Sequence, residues 1–313
     1  MTASPPTSGA LPAIETPGLG LAAAGRSSRT RQLLSDYLEL TKPKVQSLLL
    51  LTTIATMYVA GDPSPLLVAL TCLGGYLSAG GAGAVNHWFD RDIDVRMTRT
   101  AGRPVAAGRI SPPAALAFGC TLAALSLLEL TLTVNPLAAG LSFTGFLGYV
   151  FVYTIWLKRR TPQNIVIGGA AGAVPPLVGW AAVRGSVGGT AVILFFIVFF
   201  WTPPHFWALS LLMKDEYRKV GVPMLPVVRG EEETRRQILL YSVLLYAVTQ
   251  LPYCAGGFGT LYLVGSLLLG IFFVGAAVRL YRRRDRRSAL RLYLFSLAYL
   301  ALLFCAMVAD VHL

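Results

Sequence analysis

Nine long apolar segments constrain this chain more than any other feature of its sequence. A helix that crosses the hydrocarbon core of a bilayer needs about 20 mostly apolar residues, and nine segments come close to that length. Only 13% of the 313 residues are charged, whereas soluble domains usually carry about a quarter. We therefore predict an all-α polytopic membrane protein whose spans cover residues 44–61, 66–86, 113–131, 137–157, 164–183, 189–212, 237–254, 260–281 and 289–309.

The basic residues indicate how these spans are oriented across the membrane. All lysines and arginines except Arg184 lie on the side of the N-terminus, in or beside alternate loops. Because cytoplasmic loops are enriched in Lys and Arg, we predict a cytoplasmic N-terminus and an external C-terminus. The net charge of +12 is then explained by membrane topology and not by nucleic-acid binding.

The N-terminal residues differ from the rest of the chain. Residues 1–25 are rich in Ala, Gly, Pro, Ser and Thr and contain no aromatic residue, so they cannot bury enough apolar surface to fold. We predict a disordered tail over residues 1–30 and a single transmembrane domain over residues 31–313, which starts with a short amphipathic surface helix. The tail lacks targeting features, and this favours the inner membrane of a bacterial cell.

A polar stripe interrupts the apolar pattern at the predicted cytoplasmic end of the second span. Asn86, Asp90 and Asp94 are four residues apart, so on a helix they share one face with about 6 Å between successive positions. Two carboxylates at that separation can hold Mg²⁺, which prefers oxygen ligands and leaves sites for phosphate oxygens. Because ionisable groups are costly at membrane depth, we interpret the stripe as functional and not as a solvated loop of Asp–Arg pairs.

A second polar cluster, residues 214–219, follows the sixth span on the same predicted side. Acidic and basic clusters above a helical bundle suit a diphosphate, because metal ions bridge it to carboxylates while Arg or Lys neutralises its other oxygens. We therefore predict that the nine helices surround a central cavity and that the active site lies at the cytoplasmic face.

These motifs resemble those of the UbiA-type intramembrane prenyltransferases. The stripe, the Arg103-Pro104 pair, the second polar loop and the nine spans carry the similarity. Further strings are similar to the branch of that family that farnesylates haem, and the similarity extends from residue 32 onward. These strings are 42-KPKV-45, 99-RTAGRPVAAGRI-110, 156-WLKRRTPQNIVIGGAAGAVPPLVGW-180, 201-WTPPHFWALSL-211 and 221-GVPMLPVVRG-230.

The resemblance implies a reaction in which farnesyl diphosphate and protohaem IX give haem O and diphosphate, with a haem A synthase as a possible downstream partner. It implies that Asn86, Asp90 and Asp94 hold Mg²⁺ and the diphosphate, with Asp90 and Asp94 as the metal ligands. It implies that Arg103 and Lys214 contact phosphate oxygens or a haem propionate. Further substrate-binding residues implied in this way are Lys44, Arg99, Lys158, Asn164 and Asp215. Asn164 could equally cap the helix that it begins.

One position departs from the family's pattern. The wider family has a second D-x-x-x-D before the glycine of the loop after span 6, whereas here Tyr217 stands four residues before Gly221. Only Asp215 and Glu216 remain, at shifted positions. The sequence therefore predicts one firm metal ion, or a rearranged second site.

His205 lies well inside the sixth span, directly after two prolines. Prolines in a helix free backbone carbonyls and kink the helix, and a histidine could simply bind those carbonyls. It could also ligate haem iron or pass a proton. We favour a functional role, because the resemblance includes this position.

Three other functions stay open on the sequence alone. The chain could be a prenyltransferase of the same family with another aromatic or tetrapyrrole acceptor. It could be a transporter or cation channel, but such proteins place ion sites near the bilayer midplane and often show repeated halves. It could also be a non-catalytic haem-handling subunit, which would need haem ligands but no diphosphate cluster.

Overall fold

The computed structural model describes the backbone of residues 19–313 and the side chains of residues 30–313. Within that range the chain forms helices and no strands, which confirms the all-α prediction. The helices are α1 (Leu19–Leu40), α2 (Pro43–Ala60), α3 (Pro65–Phe89), α4 (Arg91–Asp94), α5 (Pro112–Thr133), α6 (Pro136–Leu147), the π-helical segment Gly148–Leu157, α7 (Asn164–Gly172), α8 (Val174–Arg184), α9 (Gly189–Leu212), α10 (Lys214–Lys219), α11 (Leu225–Val228), α12 (Gly230–Val248), α13 (Leu251–Cys254), α14 (Thr260–Arg283) and α15 (Arg286–His312).

The two predictions for the N-terminal residues can be compared with the structure only in part. Residues 1–18 of the predicted tail lie outside the described residues. The helix predicted over residues 31–44 corresponds to the last part of α1, which begins at Leu19 and ends at Leu40, while Pro43 already begins α2.

Eight helical stretches of the described chain are long and apolar enough to cross a membrane, and they coincide with the second to the ninth predicted spans. The first predicted span corresponds to α2, which is 18 residues long but is not one of the eight. Its first turns carry Lys44, Gln46 and Ser47, which lower its hydropathy. Nine spans therefore stay a prediction.

Several of these helices begin where the sequence supplies a proline or a capping side chain. Proline occupies the first turn of α2, α3, α5 and α6, where its missing N–H has no intrahelical partner to lose. The side chains of Ser64, Asn135 and Asp285 accept hydrogen bonds from the backbone three residues on, at 3.2, 2.8 and 2.6 Å. Such caps satisfy N–H groups that the helix leaves free.

The bundle follows chain order and then closes on itself. α3 packs on α5, α5 on α6, α6 on α8, α8 on α9, α9 on α12, α12 on α14 and α14 on α15. α15 then packs on α2, and α2 also contacts α3 and α8. The loops at one end form a single layer, because Thr98 N–H donates to Glu216 (2.7 Å) and Arg109 Nε donates to Asp36 (2.9 Å).

Glycine lets α3 lie against α5. A Cβ atom at Gly81 would lie 2.6 Å from the carbonyl oxygen of Gly119, and one at Gly119 would lie 2.8 Å from that of Gly81. The two backbones are therefore in direct contact, as small residues permit in membrane helices. This contact fixes α3, and with it the polar stripe at its end.

We expect Gly81→Val to lower the free energy of unfolding by roughly 1–3 kcal/mol, the usual range for overpacking, because neither backbone can move away alone. Gly140→Val in α6 is the matched control, since Gly140 is exposed and a Cβ there meets nothing within 4 Å. Unfolding in mixed micelles measures both variants, and equal stability of the two would contradict the close contact.

Candidate active site

The predicted stripe is helical and buried. Backbone N–H groups of Asp90 and Asp94 bond to the carbonyls of Asn86 and Asp90, both at 2.9 Å, so the four-residue repeat continues from α3 into α4. The exposed fractions of Asn86, Asp90 and Asp94 are 3%, 0% and 3%. Buried carboxylates are stable as anions only when they are paired or hydrogen-bonded, so their partners define the site.

Asp90 is surrounded by nitrogen donors. Its Oδ2 pairs with the ammonium group of Lys158 and accepts a hydrogen bond from Asn86 Nδ2 at 2.6 Å. Its Oδ1 lies 3.5 Å from Nη2 of Arg159 but has no hydrogen-bond partner among the described residues. One oxygen of this carboxylate is therefore satisfied, and the other still has free lone pairs.

Asp94 pairs with Arg103, as the resemblance had placed both in one site. Nη1 of Arg103 lies 2.9 and 2.7 Å from the two carboxylate oxygens of Asp94. The hydroxyl of Thr100 donates to the Asp94 main-chain carbonyl at 3.1 Å. The loop after α4 thus folds back over the stripe and brings Arg103 to it.

Lys42, and not the predicted Lys44, reaches the stripe. Its Nζ donates to Asn86 Oδ1 at 2.6 Å and to the Tyr149 hydroxyl at 3.4 Å. Burial, reinforced by the nearby charges of Arg103 and Lys158, lowers the pKa of Lys42 to about 7. The side chain of Lys44 is exposed and lines a cleft of about 460 Å³ beside the site.

The π-helical segment contributes a whole wall of the site. Lys158 pairs with Asp90, Thr154 Oγ1 accepts from Asn86 at 3.3 Å, and Tyr149 contacts Lys42. In an α-helix of 3.6 residues per turn, positions 149 and 158 would be two and a half turns apart and would face opposite ways. Here the wider i→i+5 turn, with Lys158 N–H bonded to the carbonyl of Tyr153 at 2.9 Å, places all three on one side.

The loop after α9 contributes less than the sequence suggested. Asp215 is exposed and pairs with Arg218 at 3.0 Å, and Lys214 pairs with Glu231. Tyr217, in contrast, is buried near the stripe, and this burial raises the pKa of its hydroxyl. A tyrosine thus stands on this side of the site, while the carboxylate of Asp215 faces solvent.

The remaining predicted residues lie at the edges. Arg99 is exposed in the loop after α4. Asn164 is fully buried at the start of α7, where its Nδ2 donates to the carbonyl of Thr161 at 2.5 Å. His87 was not predicted as a site residue, but it is buried and lines the cleft together with Lys42 and Arg103; its only sequence signal is its position next to Asn86.

His205 is held by side chains of α9 and α15 and not by carbonyls that the prolines free. Its ring stacks between Trp201 and Tyr293, at centroid distances of 4.4 and 4.9 Å, and its Nδ1 lies 2.7 Å from Ser296 Oγ. The hydroxyl of Ser296 donates to the Tyr293 carbonyl at 2.6 Å, so it accepts from Nδ1–H. In the neutral ring the lone pair is therefore on Nε2.

Comparisons with known proteins identify the family of this chain. Residues 49–303 match the model of the UbiA prenyltransferase family. The chain is 55% identical over 282 residues to "Protoheme IX farnesyltransferase" of Chloroflexus aurantiacus, which covers 90% of this chain and 48% of that protein. It is 55% identical over 284 residues to the protein of the same name from Symbiobacterium thermophilum, covering 90% and 95%.

The coverage of the relatives differs. The chain spans about half the length of the first two, from Chloroflexus aurantiacus and a Roseiflexus species, with 48% and 52% of those proteins matched. Others, such as the Symbiobacterium protein, are matched over nearly their whole length.

Solved structures share the fold. A structure described as digeranylgeranylglyceryl phosphate synthase superposes with a TM-score of 0.74 at 22% identity, covering 88% of this chain and 98% of that one. A UbiA homolog from Archaeoglobus fulgidus bound to GPP and Mg²⁺ gives a TM-score of 0.61 at 17% identity, covering 87% and 99%.

The Arg103–Asp94 pair is testable by a double-mutant cycle. We expect Arg103→Met to lower the free energy of unfolding by up to about 3 kcal/mol, because it leaves the buried Asp94 carboxylate unpaired. Adding Asp94→Asn should recover part of that loss, since it removes the charge. Strictly additive effects in mixed-micelle unfolding would contradict the pairing.

Proposed function

Because the chain belongs to the UbiA prenyltransferase family, we propose that it transfers a farnesyl group from farnesyl diphosphate to a vinyl group of protohaem IX. The products are haem O and diphosphate. The observation that carries the proposal is the 55% identity to a protohaem IX farnesyltransferase that is matched over 95% of its length. The buried carboxylate stripe with its ring of cations supports the same class of donor substrate.

The stripe is suited to a divalent cation. Asp90, Asp94 and Asn86 offer oxygen donors, the type that Mg²⁺ prefers, and Asp90 Oδ1 is buried without a hydrogen bond among the described residues. Mg²⁺ held there would neutralise charge on the leaving diphosphate. The Mg²⁺ in the Archaeoglobus homolog supports a metal ion in this fold.

The cations around the stripe exceed what two carboxylates need. Lys158 and Arg103 pair with Asp90 and Asp94, and Lys42 donates to the neutral side chains of Asn86 and Tyr149. With a divalent cation on the carboxylates, Lys158 and Arg103 would be available to diphosphate oxygens, and Lys42, which has no carboxylate partner among the described residues, would add a third donor. Preorganised donors of this kind stabilise charge where it develops in the transition state.

The reaction breaks the bond between the first farnesyl carbon and the diphosphate oxygen. The terminal vinyl carbon of the haem then supplies the electron pair for a new carbon–carbon bond, and water adds its hydroxyl to the neighbouring carbon and releases a proton. The apolar walls of the bundle keep other water away from the allylic cation.

We further propose that His205 ligates the haem iron through Nε2. The bond from Nδ1–H to Ser296 and the stacked rings of Trp201 and Tyr293 hold the imidazole in one orientation. In a metal-ligating histidine, a hydrogen bond from the ring nitrogen that does not bind the metal fixes the tautomer.

We also propose that α2 crosses the membrane as the first of nine spans and that the site lies at the cytoplasmic face of the cell membrane, with the N-terminus cytoplasmic and the C-terminus external. The support is the concentration of Lys and Arg in the loop layer that contains the stripe. Haem O formed there would pass to an enzyme that oxidises it further, such as a haem A synthase.

The proposal is tested with membranes that contain the protein, protohaem IX, farnesyl diphosphate and Mg²⁺. We expect mass spectrometry to detect hydroxyethylfarnesyl haem, and we expect Asp90→Ala to abolish its formation because a donor at the centre of the stripe is lost. Glu232→Gln, at an exposed Glu232–Arg284 pair of the same loop layer, is the control and should retain full activity. Prenylation of an aromatic quinone precursor instead of haem would point to another acceptor.

The role of His205 predicts a spectroscopic change. We expect His205→Ala to alter the absorption spectrum of bound haem, and Ser296→Ala to weaken haem binding several-fold by loosening the ring. Ser296→Thr keeps the hydroxyl and is the matched control. Unchanged haem spectra in His205→Ala would assign the histidine to packing between α9 and α15.

A further inference from the structure

Asp92 lies off the polar stripe, but it binds Arg159. Arg159 is the arginine next to Asp90 Oδ1, the carboxylate oxygen that has no hydrogen-bond partner among the described residues. Nη2 and Nη1 of Arg159 bond to the two oxygens of Asp92 at 2.7 and 2.8 Å. Nη2 also donates to the carbonyl of Phe89 at 3.1 Å, and the guanidinium lies over the Phe89 ring at 4.7 Å. Four contacts thus fix the orientation of one side chain.

In this orientation Arg159 lies near Asp90 but does not form a hydrogen bond with it. Its Nη2 is 3.5 Å from Asp90 Oδ1, which is too long for a strong charge-assisted hydrogen bond. Two buried atoms of these side chains, Nε of Arg159 and Oδ1 of Asp90, have no hydrogen-bond partner in the described part of the chain. A donor and an acceptor that could satisfy each other are therefore kept apart.

The two-point contact with Asp92 explains the separation. A planar guanidinium presents its donors in a rigid fork. The contact with Asp92 uses one hydrogen of each Nη atom, and Nη2 also donates to the carbonyl of Phe89, so these bonds hold the remaining Nε–Nη2 edge at its present distance from Asp90.

We propose that Asp92 is a positioning residue that restrains Arg159 and thereby keeps Asp90 Oδ1 available to a divalent cation. This inference rests on the cation site proposed above. Without Asp92, the guanidinium would turn its Nε and Nη2 towards Asp90, form the bidentate pair that Arg favours with carboxylates, and compete with the cation for the same oxygen.

Manganese binding tests the proposal on the full-length protein in detergent. Mn²⁺ is titrated in the presence of farnesyl diphosphate and without haem, and unbound Mn²⁺ is measured by electron paramagnetic resonance. We expect Asp92→Asn to weaken Mn²⁺ binding by about tenfold or more, the range found for residues behind a metal ligand. Glu232→Gln is the control, because it also breaks an exposed Arg–carboxylate pair between distant parts of the chain.

The second variant removes the competitor. In Asp92→Asn/Arg159→Gln, Mn²⁺ affinity should return to that of Arg159→Gln alone, since no guanidinium is left to close on Asp90. Arg159→Gln by itself should bind Mn²⁺ at least as tightly as the wild-type chain, which keeps the test informative even if Asp92→Asn fails to fold.

The outcomes separate this inference from the proposed function. Wild-type affinity in Asp92→Asn, an equally weak double variant, or weakened binding in Arg159→Gln would each overturn the role of Asp92. If the wild-type protein binds Mn²⁺ and the variants behave as expected, but haem is not farnesylated, the restraint of Arg159 stands and the proposed reaction falls. If the wild-type protein does not bind Mn²⁺, both the cation site and this inference fall.

Discussion

The burial of two carboxylates at one end of a helical bundle is the constraint on which the rest of the site depends. An unpaired buried anion costs several kcal/mol, so Asp90 and Asp94 must be matched by cations from other parts of the chain. Lys158 comes from the π-helical segment and Arg103 from the loop after α4. Charge pairing therefore ties together segments that apolar packing alone would leave independent.

The same pairing also suits the donor substrate proposed here, which has an apolar tail and an anionic head. The ammonium and guanidinium groups already face the stripe before any ligand arrives, so little has to be reorganised when negative charge appears there. The apolar helices beneath offer the tail a medium from which water is excluded. The position of the stripe, at the junction of the loop layer and the bundle, follows from the direct contact between α3 and α5.

Much of this could be predicted from the sequence, because long apolar runs and a four-residue polar repeat are strong signals. The helices of the second to ninth spans and the helical continuation through Asp90 and Asp94 follow from them. The partners of the stripe did not follow. Lys42 reaches the stripe, whereas Lys44 does not. The backbone of Lys42 is left-handed, with a φ of 54° between α1 and α2, and the residue types at this position do not predict that conformation.

Other parts of the site depend on contacts between distant segments. Nothing in the string KRR distinguishes Lys158, which binds Asp90, from Arg159, which binds Asp92. Asp215 was predicted to bind substrate, but α10 turns it to solvent and turns Tyr217 inward. Which side chains of a short helix face the site depends on the orientation of that helix after the span. A helix as short as α10 has too few residues to show a hydrophobic periodicity from which that orientation could be predicted.

The π-helical wall has a consequence for how the length of this helix can vary. Tyr149 and Thr154 are five residues apart and share a face only because the turn between them is wide. A relative with one residue fewer in this turn would have them four apart, and an ordinary α-helix would then align them equally well. This wall therefore does not require a fixed number of residues between its side chains; the side chains can keep their places while that number changes.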